Sequence, residues 1–106
     1  MSTRLEQLTR LHAADPQDPF CSYGIALEHA KAGDADNAIV WLDKTLAVDA
    51  AYCYAYYQKA KMLLAKGDEA GARRVLQNGM MVALRANTPD ARHAHEEMGA
   101  LLETLD

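Results

Sequence analysis

The stretch Ala32-Gly33-Asp34-Ala35-Asp36-Asn37-Ala38 decides the fold, because its key residues return as Lys66-Gly67-Asp68-Glu69-Ala70-Gly71-Ala72, 34 residues on. Glycine followed by aspartate marks the end of one helix and the start of another. Glycine tolerates the left-handed conformation that closes a helix. The aspartate then accepts a free backbone N–H of the next helix. A turn this short leaves the two helices antiparallel. The same offset pairs Ala26 with Ala60, Ala38 with Ala72, and Leu42 with Leu76. Small residues on facing surfaces let two helices approach closely, and the leucines fill the space beside them. A repeat with one helix pair per unit follows, and detecting it precedes any other reading of the fold.

Working outward, residues 18–32 and 35–48 form one pair of predicted helices, and 51–66 and 69–86 a second. Before them, residues 2–14 form a first helix with Leu5, Leu8 and Leu11 on one face and Ser2 or Thr3 as cap. Asp15-Pro16 stops it, since the residue before proline avoids the helical region. After the pairs, Thr88-Pro89 opens a last helix to residue 105, with proline early in the helix. Its apolar face is Ala91, Ala94, Met98, Leu101, Leu102 and Leu105, spaced by three and four. Its other face carries Arg92, Glu96, Glu97 and Glu103. Stacked repeats need such an end helix to close a core against water.

Composition agrees with an all-α class. The chain has 106 residues, half of them hydrophobic, with three prolines and six glycines. That length suits one domain with a modest core. No stretch reaches the ~18 apolar residues of a membrane span, and the first residues lack the apolar run of a secretory signal. A cytoplasmic, bacterial protein is expected. Cys21 and Cys53, the two cysteines, are read as reduced packing residues.

The net charge of −4 opposes general nucleic-acid binding. Residues 1–50 carry eight acids and four bases, 51–86 two acids and six bases, and 87–106 five acids and one base. The basic middle, with Lys59, Lys61, Lys66, Arg73, Arg74 and Arg85, is either a solvated face or a docking surface for an acidic segment.

The chain lacks the usual marks of catalysis. It has no phosphate-binding glycine loop and no Cys-x-x-Cys. His93 and His95 point about 200° apart on one helix and cannot share a metal. His12 and His29 have no partner at ligand spacing. No histidine is placed by sequence beside either cysteine. No enzyme activity, cofactor or metal is expected. His29 reads as a core or boundary histidine with a hydrogen-bond partner.

The unit resembles the tetratricopeptide repeat. On that resemblance, one unit runs over 19–52 and a second over 53–86, with 2–14 and 88–105 as capping helices. The implied fold is an α-α superhelix of antiparallel helix pairs. The sequence departs from the family pattern at Ser22 and His29, where large apolar residues are usual. It departs again at Lys59, at Thr45 and Gly79 in place of alanine, and at Ala50 and Leu84 in place of proline. Without that second proline, the helix after Asp68 is expected to run past Arg85.

The resemblance also implies a concave groove lined by the first helix of each pair. Its residues are Phe20, Tyr23, Leu27, Ala30 and Lys31, then Tyr54, Tyr57, Lys61, Leu64 and Ala65, with Arg92 and Glu96 if the last helix follows. The rings either form an amphipathic peptide strip or pack between neighbouring helices. Tyr52, Tyr56 and Trp41 are assigned to packing. Repeats that grip chaperone tails resemble a clamp of lysine, asparagine and arginine, and Tyr23, Tyr57, Leu27 and Lys61 stand at its positions instead. An extended apolar or mixed peptide, or a helix, fits better. The expected function is a protein-interaction module, a scaffold or adaptor. The alternatives are a self-associating structural protein and, remotely, a small enzyme or ligand carrier.

Overall fold

A computed structural model of the chain describes residues 3–105. The described residues form six α-helices and no strand: α1 (Arg4–Ala14), α2 (Pro19–Lys31), α3 (Ala35–Val48), α4 (Cys53–Ala65), α5 (Glu69–Ala86) and α6 (Pro89–Glu103). None is long and apolar enough to cross a membrane. The helices group into two compact units, one ending at Ala50 and the other beginning at Ala51.

In the first unit α2 packs on both α1 and α3. Thr3 caps α1 by accepting from the Glu6 N–H; Ser2, the other expected cap, lies outside the described residues. Asp15 leaves the helical region at φ −144° and ends α1 just before Pro16. Asp18 caps α2 through the Phe20 N–H, with Pro19 at the first helical position. Gly33 then adopts φ +79°. Asp34 accepts from the Asn37 N–H and starts α3. Ala26 and Ala38 are fully enclosed, so α2 and α3 approach closely beside Ile25 and Leu42. Each of these larger side chains contributes roughly 1.5–3 kcal/mol by leaving water.

The second unit repeats the plan. Gly67 has φ +83°, and Asp68 accepts from the Gly71 N–H. Ala60, Ala72 and Leu76 are enclosed as their counterparts are. The helix α4 begins at Cys53, two residues later than expected, because Ala50 and Ala51 form the turn that leads in and Tyr52 is the cap position. Tyr52 supplies no side-chain cap. The helix α5 continues to Ala86 and stops where Asn87 turns left-handed, at φ +48°. Thr88 caps α6 through the Ala91 N–H. The inner face of α6 buries Ala91, Ala94 and Met98 and half-buries Leu101 and Leu102, and Leu105, just past its end, is half-buried too. This helix packs on α5 and α4, and Arg73 on α5 holds its end by donating to the Leu105 carbonyl at 2.8 Å.

Two of the departures from the repeat pattern, Ser22 and Thr45, compensate each other, and a third, Gly79, makes room for a ring. Ser22 and Thr45 are both buried, and their hydroxyls hydrogen-bond at 2.8 Å between α2 and α3. Their equivalents in the second unit are Tyr56 and Gly79. There the ring takes the space, and a Cβ on Gly79 would lie 2.6 Å from the Tyr56 Cβ. One pair is small and polar, the other large against nothing.

Candidate functional site

In the first unit, α2 carries the expected site residues. Phe20 is 59% exposed, Tyr23 and Leu27 are half-buried, and Lys31 is exposed. The Lys31 ammonium pairs with Glu28 at 2.9 Å. Phe20 lies in the first turn of α2, on a different side from the buried Cys21 and Ser22. Ile25 and Ala26 take the inward face.

Near this face, His29 is half-buried, with Nδ1 4.0 Å from the Asp34 carboxylate. That carboxyl lies below the usual range, mainly because the Asn37 side chain and then its backbone N–H donate to it. His12 meets Trp41 edge-on at 5.0 Å, and Lys44 sits 4.0 Å from the same ring. Trp41, assigned to packing from the sequence, is half-buried beneath these two side chains. Burial, followed by the nearby Asp18 charge, pushes the Cys21 thiol up, which lowers its thiolate fraction. Both cysteines are buried and unpaired with each other.

In the second unit, Tyr54, Tyr57, Lys61 and Leu64 follow one another on α4. The two tyrosines and Leu64 are half-buried and Lys61 is exposed. The spacing of Tyr54, Tyr57 and Lys61 places them on one stripe. The Lys61 ammonium lies 5.3 Å from the Tyr57 ring centroid. Tyr56, between them in sequence, turns into the core as expected.

The structure adds residues that sequence reasoning missed. The His93 ring on α6 lies 6.4 Å from the Tyr54 ring, tilted by 50°. Its Nε2 is 3.1 Å from the Glu97 carboxylate. Burial first, then the charges of Glu97 and Asp90, pushes the Tyr54 hydroxyl up. The signal lay in the numbering: Asp90, His93 and Glu97 repeat the spacing of Tyr54, Tyr57 and Lys61. Arg92 and Glu96 instead line a cleft of about 260 Å³ with Ala83, Leu84, Asn87 and His95. Arg92 donates there to the backbone and side-chain oxygens of Asn87. Among the described residues no group of three or more histidine, cysteine or acidic side chains has metal-binding geometry.

Two helix pairs in one register, closed by left-handed glycines and flanked by single helices, define a helical-repeat protein. More narrowly, the chain has the tetratricopeptide-repeat fold. No family model matches it. It is 28% identical over 102 residues to a "TPR repeat-containing protein" of Pseudomonas aeruginosa, covering 96% of this chain and 94% of that one. Several solved structures share the fold, among them the two that follow. PcrH, in complex with the chaperone-binding region of PopD, superposes with a TM-score of 0.86 at 20% identity, covering 95% of this chain and 74% of that one. The type III secretion translocator chaperone SycD of Yersinia enterocolitica gives 0.87 at 22%, covering 94% and 73%.

Proposed function

We propose that this chain is a protein-interaction module that docks a peptide or partner protein on the helix faces carrying Phe20, Tyr23, Leu27 and Lys31, and Tyr54, Tyr57, Lys61 and Leu64. The observation that carries this reading is the state of the aromatic residues. Phe20 stays largely in water, while Tyr23, Tyr54 and Tyr57 keep part of their surface open. Half-covered tyrosines present apolar area at low entropic cost and keep a hydroxyl for a backbone. PcrH, which shares the fold, is described with a bound segment of PopD. That is consistent with partner binding here. The chain acts as one domain, 1–106, with repeat units 19–52 and 53–86 and capping helices 2–14 and 88–105. The proposed compartment is the cytoplasm, where thiols such as those of Cys21 and Cys53 stay reduced. Its work is binding and not catalysis, needing no cofactor or metal.

Selection from a random decapeptide library on immobilised full-length protein tests this. Tyr23→Ala and Tyr57→Ala are expected to reduce capture by at least about tenfold, the loss typical of a central interface aromatic, with unchanged circular dichroism. Undiminished capture by both variants contradicts the assignment of these faces.

Self-association is the second reading. It is favoured by Leu11, Val40, Met81 and Leu84, large apolar side chains that stay exposed alongside Phe20. Sedimentation across concentration and salt decides it, and a strict monomer at high concentration removes it.

A further inference from the structure

We infer that the face shared by α4 and α6 receives a cationic side chain, an arginine by preference, from an extended segment of the partner. This rests on the docking function proposed above and gives its second unit a chemical specificity.

Both helices pack on α5 and also touch each other. Each contributes a stripe of the same period: Tyr54, Tyr57 and Lys61 from α4, and Asp90, His93 and Glu97 from α6. The stripes meet where the Tyr54 and His93 rings lie 6.4 Å apart. The Glu97 carboxylate is 3.1 Å from His93. Aromatic faces are electron-rich and attract cations. Here they adjoin carboxylates, on a segment where residues 87–106 hold five acids against one base.

The chain's own side chains already show what these positions accept. The Lys61 ammonium rests by the Tyr57 ring, and the His93 imidazole neighbours the Tyr54 ring and pairs with Glu97. The His93 side chain is 63% exposed and Glu97 38%, so an incoming group displaces the imidazole without opening the core. A guanidinium suits the exchange. It is planar, stacks on a ring, and presents a fork of N–H donors to a carboxylate. Lys61, making no ion pair among the described residues, limits how far a basic tract extends along the stripe.

The test compares arginine frequency in decapeptides captured by the full-length protein with that in the input library. The wild type is expected to enrich arginine roughly fivefold at one position, beside apolar or aromatic positions. In Glu97→Gln/Asp90→Asn the arginine enrichment falls to the input level while apolar enrichment stays. Glu97→Gln alone, which leaves the first turn of α6 intact, gives a partial loss. Apolar enrichment without arginine, or arginine enrichment unchanged in the double variant, overturns the inference and leaves the docking function standing. Failure of the wild type to capture any peptide overturns both.

Discussion

Ser22 and Thr45 meet hydroxyl to hydroxyl at 2.8 Å in the interior between α2 and α3, at positions where this kind of repeat ordinarily places a large apolar residue and an alanine. The Thr45 hydroxyl also reaches the Trp41 carbonyl at 2.9 Å, and Ser22 the Pro19 carbonyl at 3.1 Å. The two hydroxyl protons serve two of these three contacts at a time, one hydroxyl donating to the other and that one to its own carbonyl, and no buried side-chain polar atom among the described residues lacks a partner.

That coupling has a measurable form. Ser22→Ala or Thr45→Val alone is expected to cost about 1–3 kcal/mol, because one buried hydroxyl loses a partner. The double variant is expected to cost less than the sum, since both polar groups are then gone. Urea unfolding of the four proteins completes the cycle. Strict additivity argues against a coupled pair.

The second unit makes a steric prediction. Alanine at Gly79 brings a Cβ to 2.6 Å from the Tyr56 Cβ and 2.7 Å from the Met98 sulfur. Overpacking of this kind costs about 1–3 kcal/mol, more than the ~1 kcal/mol an alanine gains in a helix. Gly99→Ala is the control on α6. Its Cβ would meet only the flexible end of Met80, at 3.4 Å, so a gain of up to ~1 kcal/mol is expected. Thermal unfolding should move the two variants in opposite directions.

Gly33 and Gly67 predict a pure backbone effect. A Cβ at either finds nothing within 4 Å, yet φ is +79° and +83°. Alanine there is expected to cost about 1–2 kcal/mol through conformation alone, read as a lower urea midpoint with the far-ultraviolet spectrum unchanged.

Asp34 ties its helix cap to pH. Its carboxyl is held below the usual value by Asn37, with a smaller contribution from His29. A carboxylate with a lowered folded-state pKa adds stability that is complete above its unfolded value, about 4. That stability is lost as pH falls through the lower folded value. The difference in urea midpoint between wild type and Asp34→Ala should therefore be full near neutrality and shrink in acid below about pH 4. A difference independent of pH contradicts the charged cap.

Tyr54 reports on the face it shares with α6. Burial, and then Glu97 and Asp90, raise its hydroxyl pKa. Removing the Glu97 charge in Glu97→Gln should shift the Tyr54 titration to lower pH, followed by phenolate absorbance against a Tyr54→Phe reference. An unmoved titration places Glu97 too far away to act.

The helical architecture was legible because its punctuation is local. Gly33-Asp34, Gly67-Asp68, Asp15-Pro16 and Thr88-Pro89 each act within a few residues of themselves, and each ends or begins a helix as read. The start of α4 lies two residues beyond the expected one because Tyr52 gives no capping signal. The compensation of Ser22 by Thr45, and of Tyr56 by Gly79, was not legible. Ser22, Thr45 and Gly79 stand in the sequence as separate departures, and only the packing of two helices brings each to its partner. The same holds for Tyr54 and His93, which are far apart in sequence and meet across α4 and α6. Repeat spacing selects the helix face a residue occupies; it does not say which neighbour completes the surface.

The claim that these faces bind a partner is tested most directly by nuclear magnetic resonance of the isotope-labelled protein titrated with a decapeptide selected from the library. The account predicts amide shifts concentrated on α2 around Phe20–Lys31 and on α4 around Tyr54–Leu64. Shifts confined to the exposed sides of α3 and α5, at Val40, Met81 or Leu84, would contradict it.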